Sequence, residues 1–126
     1  MQVKIGNYLF VAEPVSESLY NVSICTSDNV SILDMKMSDI HISMLMGLIN
    51  NIALDTQSGF VNVPLSNPRF VHTLYMNRND YKGEIYMRAY KTDVMTAQDK
   101  HIVSITSKIE SREFEQLYTH LNKLLG

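Results

Sequence analysis

The residues with the plainest chemical use lie between 69 and 91. In a strand over 83–91, alternation puts Tyr86, Arg88 and Tyr90 on one face and Ile85, Met87 and Ala89 on the other. The preceding stretch, 69–77, divides the same way: Arg69, Thr73, Tyr75 and Asn77 against Phe70, Leu74 and Met76. Antiparallel pairing through a turn at 78–82 lays both polar-aromatic faces on one surface, with Arg78, Tyr81 and Lys82 at its rim. Unpaired bases need rings to stack on, worth about 1–3 kcal/mol per base, and guanidinium groups for phosphate or cation–π contact. The same residue types also make an ordinary exposed sheet face or a dimer interface, and the residues alone leave these readings open. The matching face of the N-terminal half, Tyr20, Val22 and Ile24, is apolar and predicts buried or interfacial surface.

Other chemistry finds little support. His41, His72, His101 and His120 are scattered, and none stands at the i, i+4 spacing of a helical zinc pair. Cys25 is the single cysteine, so an intramolecular disulfide is excluded and a cysteine-based metal site has no partners at short spacing. Nucleophile elbow, P-loop and dinucleotide glycine patterns are absent from the sequence. Glu110, Glu113 and Glu115 cluster where a helix begins, and complementing its dipole explains them better than general acid–base work. No enzyme, cofactor or metal is therefore expected.

The elements that must carry the polar-aromatic face follow from periodicity. Met44, Leu45, Leu48, Ile49 and Ile52 recur at steps of three and four, predicting a helix over 38–54 with Ser38 as N-cap. Phe114, Leu117, Leu121, Leu124 and Leu125 predict a second helix from Ser111, its N-cap, to the C-terminal Gly126, with Lys123 at the end that favours a cation. Period-two segments predict strands at 2–5, 8–13, 18–25, 30–35, 59–65, 69–77, 83–91 and 101–107. Gly6-Asn7, Ser66-Asn67-Pro68 and Asn77-Arg78-Asn79-Asp80 read as turns, and Thr92 to Lys100 as the longest loop.

The order is thus four strands and a helix, twice. Leu19 to Thr26 aligns with Ile85 to Thr92. At one shared offset Val30-Ser31-Ile32 meets Val103-Ser104-Ile105, Ser38 meets Ser111, Met44 meets Leu117 and Leu48 meets Leu121. The expected fold is α+β: a single domain, 1–126, of two pseudo-repeated units, 1–55 and 56–126, each an antiparallel sheet followed by a helix.

Composition sets the outer bounds. A chain of 126 residues with 45% hydrophobic, 9% aromatic and 19% charged residues buries a core without disulfides or metals. No uninterrupted apolar run approaches the roughly 20 residues that span a bilayer, and the start has no secretion signal. The cytoplasm, that of the host for a phage-encoded chain, is the expected location, with no membrane partner. A net charge of −2 argues against coating duplex DNA by bulk electrostatics, while leaving room for a local groove that binds a single strand. Met35, Met37, Met44 and Met46 crowd the first helix and its approach, where core filling competes with an adaptable protein-binding surface.

Gly83 to Tyr90, Ile102-Val103-Ser104-Ile105 and the helix Glu113-Phe114-Glu115-Gln116-Leu117 resemble the transcriptional coactivators of the Positive Cofactor Four type. The likeness covers about 83–125 and, more weakly, 18–52, and the doubled order looks like the Whirly arrangement of that architecture. The resemblance implies binding of single-stranded DNA across curved sheets, with dimers or higher assemblies formed partly through helices. Carried over by residue, it points to Arg88, Tyr90 and Lys100. The sequence-level expectation is therefore a homodimer that binds single-stranded DNA or RNA with little sequence preference, in replication, recombination or transcription. Stacking would fall to Tyr75, Tyr86 and Tyr90, and phosphate neutralisation to Arg69, Arg78, Lys82, Arg88, Lys91 and Lys100. The rival expectation is a protein–protein interaction module, a small inhibitor or assembly factor, using the Met-rich helix and the acidic surface.

Overall fold

The computed structural model describes residues 1–54, 57–79, 84–96 and 101–126, with backbone alone for 101–103. Among these, the chain runs β1 (Gln2–Ile5), β2 (Tyr8–Ser16), β3 (Leu19–Thr26), β4 (Ser31–Ser38), α1 (Asp39–Leu54), β5 (Ser58–Pro64), β6 (Phe70–Asn79), β7 (Glu84–Asp93), β8 (His101–Ile109) and α2 (Ser111–Leu125). The strands form two four-stranded sheets, each a meander of sequential antiparallel neighbours: β1 to β4 in sheet A and β5 to β8 in sheet B. The predicted α+β order of two sheet-plus-helix units is the observed one. Most element ends fall within one or two residues of the period-two and helical patterns, and β2 and β4 run three residues longer than their patterns.

Alternation decides which side of each sheet is covered. Val3, Ile5, Phe10, Ala12, Val22, Ile24, Leu33, Met35 and Met37 line the inner side of sheet A, and Val61, Val63, Leu74, Met76, Ile85, Met87, Ala89, Ile105 and Ile109 that of sheet B. All belong to one hydrophobic core with Ile42, Leu45, Ile49 and Ile52 of α1 and Phe114, Leu117 and Leu121 of α2. Tyr20, Val22 and Ile24 are buried there, as their apolar face predicts. The helices cross over: α1 packs mainly on β5 and β6 of sheet B, and α2 on β1 of sheet A.

Two expectations shift. The N-cap of α2 is Glu110 rather than Ser111: the Glu113 carboxylate accepts a hydrogen bond from the Glu110 amide at 3.1 Å, which sets the start of the helix one residue earlier. Ser38 does cap α1, its Oγ accepting from the His41 amide at 3.3 Å. The repeat is also one residue out of register in the sequence alignment. Met44 is half exposed while Leu117 is fully buried. An offset one residue shorter pairs Ile42 with Phe114, Leu45 with Leu117, Ile49 with Leu121, Leu33 with Ile105, and cap Ser38 with cap Glu110, so every pair agrees in burial or role.

The turn of the first hairpin locks the units together. Gly6 has φ of 69°, and a Cβ there would lie 2.0 Å from Ser107 Oγ and 2.2 Å from the Lys108 carbonyl oxygen. The Gly6 amide donates to Glu113 at 3.1 Å, the Asn7 amide to Ser107 Oγ at 3.1 Å, and the Ser107 hydroxyl donates to the Ile5 carbonyl at 2.9 Å. One buried carboxylate and one buried hydroxyl thus tie sheet A to β8 and α2. Replacing Glu113 by Ala strips acceptors from the Gly6 and Glu110 amides, and a loss of about 2–4 kcal/mol in unfolding free energy is expected, read from urea midpoints.

Candidate nucleic-acid interface

The outward face of sheet B gathers aromatic side chains in registered rows. Phe60, Tyr75, Arg88 and Thr106 stand side by side across all four strands; Asn62, Thr73, Tyr90 and Ser104 form the row on one side, and Ser58, Asn77, Tyr86 and Lys108 that on the other. The inward residues between them, Val61, Leu74, Met76, Met87 and Ala89, are buried, so the core holds these rings outward. Phe60 is 60% exposed, an aromatic ring left in water on a sheet face. The Arg88 guanidinium sits 5.7 Å from the centre of the Tyr90 ring. Thr73 donates its hydroxyl hydrogen to Asn62 Oδ1 at 2.7 Å, stiffening the middle of the face. At the margin Tyr86 hydrogen-bonds the Glu84 carboxylate, which pushes its phenol pKa up, and Lys108 pairs with the same carboxylate at 3.2 Å.

The nine residues singled out by the sequence do not all converge. Tyr75, Tyr86, Arg88 and Tyr90 come together as expected. Arg78 does not: β6 continues through Asn79, which pairs with Glu84, instead of turning at Asn77, so Arg78 lies on the Leu74–Met76 side. There its guanidinium donates to the Ile52 carbonyl at 2.9 Å, supplying the end of α1 with one of the donors that its last turn needs. Lys91 is also of inward parity, opposite His72, with its ammonium 4.8 Å from the centre of the Phe70 ring. Arg69 stands at the far end of the face with its guanidinium on Asp93, at 2.8 Å from Nε and 2.6 Å from Nη2. Lys82 and Lys100, with the rim residue Tyr81, lie outside the described residues. Two members were missed, Phe60 and Lys108. The alternation of Val61 and Val63 with Phe60, Asn62 and Pro64 was the signal for Phe60.

The Arg69 guanidinium holds the Asp93 carboxyl below the usual carboxylate range. A depressed folded pKa means that the pair stabilises the fold above the unfolded value of about 3.9 and that this contribution is lost as pH falls through the lower folded value. The expected result is that Asp93→Asn lowers the urea midpoint at pH 7 and that the gap between wild type and variant narrows as pH falls below the unfolded value of about 3.9.

The outward face of sheet A differs in kind. Leu9, Val11, Asn21, Ser23, Asp34 and Lys36 of sheet A point outward, with no aromatic ring among them. Among the described residues, no cluster of three or more His, Cys, Asp or Glu could hold a metal ion, and no helix is long and apolar enough to cross a membrane.

No protein-family model matches the chain, and no curated protein sequence does. Solved structures do. WHY1 from Arabidopsis thaliana superposes with a TM-score of 0.57 at 14% identity, over 99% of this chain and 81% of that one. The plant transcriptional regulator PBF-2 superposes with a TM-score of 0.57 at 12% identity, over 99% of this chain and 79% of that one. The fold is therefore the duplicated, Whirly-like α+β fold that the sequence resemblance implies.

Proposed function

We propose that this chain binds single-stranded nucleic acid, single-stranded DNA in the first place, with little sequence preference, on the outward face of sheet B. The observation that carries the reading is the row Phe60–Tyr75–Arg88, flanked by Tyr86 and Tyr90. It sets stacking surfaces on adjacent strands, about 4.8 Å apart, with a guanidinium between rings. The shared fold with a plant transcriptional regulator supports the same direction. The role would be non-enzymatic, in replication, recombination or transcription, in the cytoplasm of the producing cell or of a phage host.

A homodimer fits a second observation. Ile40, Met44, Gly47, Asn51 and Leu54 form one straight stripe on the outer side of α1, with Ile40 71% and Leu54 73% exposed. Between Asp39 and Leu54 the helix carries no Lys, Arg or Glu, and around Gly47 there is open space. The stripe is nearly symmetric about Gly47, which suits two antiparallel copies crossing at the glycine. This favours self-association over the foreign protein partner of the rival reading.

Fluorescence anisotropy with a labelled oligothymidine at several salt concentrations tests the function. Each phosphate neutralised on a single strand contributes about −0.7 to the log–log salt slope. With Arg88 and Lys108 as the contacting cations the slope is expected near −1.4. Binding that is absent at low salt from a folded protein would overturn the proposal.

A further inference from the structure

Beyond the aromatic face, a cleft of 450 Å³ opens where the edge strands of the two sheets meet, between β4 and β5. Its size falls in the range of roughly 300–1,000 Å³ typical of ligand sites. Asn21, Ser23, Asp34 and Lys36 enter it from the outer side of sheet A, Pro64 from β5, and His72 from β6. His72 is 3% exposed, and its Nδ1 has no hydrogen-bond partner. Burial, with Lys91 nearby, pushes the imidazole pKa down, so the ring is neutral at pH 7. Asp34 Oδ1 accepts from the Ser23 hydroxyl at 2.6 Å, and hydrogen bonds from Ser23 and Ser31 keep the carboxylate ionised. A carboxylate has about four acceptor positions, so capacity remains for a ligand.

An occupant that lies against Val63, Pro64 and Leu65 needs an apolar face, which a flat heterocycle offers. It must offer N–H donors to Asp34 and an acceptor to the neighbouring Lys36 ammonium. Among the four bases, guanine alone presents two adjacent donors, N1–H and N2–H, beside an acceptor, O6. Adenine and cytosine place a ring acceptor next to their amine, which a carboxylate repels, and thymine flanks one N–H with two carbonyls. We infer that the β4–β5 cleft is a guanine-selective base subsite, with Asp34 accepting from N1–H and N2–H and Lys36 donating to O6. The inference rests on the single-strand reading above: Pro64 belongs both to the cleft and to the outward row of β5 that includes Phe60, so a strand lying along β5 reaches it.

The test compares labelled oligothymidines in which one central thymidine is replaced by deoxyguanosine, deoxyinosine or deoxyadenosine. Deoxyguanosine is expected to tighten binding about tenfold, the size of one bidentate base contact. Deoxyinosine, which lacks the N2 amine, should give back most of that gain and deoxyadenosine all of it. Asp34→Asn should erase the preference and leave oligothymidine affinity within about twofold, since Asp34 stands on sheet A and belongs to none of the aromatic rows. Equal affinities for all four oligomers, or a guanine preference that survives Asp34→Asn, would overturn the subsite while leaving the general reading intact. Failure of every oligomer to bind would overturn the general reading. The subsite would then be decided by titrating 5′-GMP and 5′-AMP against the protein and following the His72 ring resonances. A shift with GMP alone upholds it, and no shift, or the same shift with both, ends it.

Discussion

Replacing Phe60 and Tyr75 together by alanine is expected to weaken oligothymidine binding by roughly a hundredfold to ten-thousandfold without unfolding the protein. Each ring offers a stacking platform worth about 1–3 kcal/mol per base, and the two are direct cross-strand neighbours, so their loss removes two adjacent platforms. Phe60 is mostly in water and Tyr75 half-buried, so little core packing goes with them. The inward residues that hold the sheet, Val61, Leu74 and Met76, are untouched. Anisotropy titrations of the double variant beside Arg88→Ala separate stacking from charge. Loss of Arg88 should flatten the salt slope by about 0.7, while loss of the rings should leave the slope and lower the affinity. If the double variant binds as wild type does, bases do not lie on this face.

The second large effect is structural. Gly6→Ala is expected to destabilise the fold by roughly 3–5 kcal/mol, a large part of the 5–15 kcal/mol that holds a typical domain. Two contributions add. A Cβ at 2.2 Å from the Lys108 carbonyl oxygen meets backbone, which cannot rotate away, and overpacking of this kind costs about 1–3 kcal/mol or more. The left-handed backbone at φ of 69° adds about 1–2 kcal/mol for a residue with a side chain. Ser107→Gly in the Gly6→Ala background should not restore wild-type stability, because it relieves the contact with Oγ but not the one with the carbonyl, and it gives up the hydroxyl's hydrogen bonds to Asn7 and Ile5. Thermal unfolding of the three proteins reads this directly. An alanine variant within about 0.5 kcal/mol of wild type would mean that the hairpin turn is not locked against β8.

The fold was legible because each element announces itself twice, by its period and by its end. Gly6-Asn7 closes the first hairpin, Ser38 caps α1, and Leu117 and Leu121 mark the buried stripe of α2. Parity carried the site as far as the strand boundaries were right. Tyr86, Arg88 and Tyr90 keep their face because β7 is regular through them, whereas Arg78 changes face because β6 does not stop where a run of Asn and Asp suggests. Such residues permit a turn without requiring one, and a long hairpin arm that buries Met76 and pairs Asn79 with Glu84 outweighs that local tendency. Lys91 went astray for a different reason, since a cation at a strand end is no worse off on the covered side when it finds an aromatic ring to lie on. That Arg69 is held by Asp93, and that His72 and Asp34 face one cleft, depend on contacts between segments far apart in the chain, and no local pattern carries them.

The crossing-over of the helices has a consequence for how such a chain arises. Since α1 rests mainly on the second sheet and α2 on the first, half of the gene encodes a unit whose own helix is turned toward another copy. A half-length chain of this design would have to pair, each member lending its helix to its twin. Fusion into one reading frame ends the obligation to be identical, and the two halves are then free to specialise. In this chain the halves do differ: rings stand on the outer face of sheet B and are absent from that of sheet A.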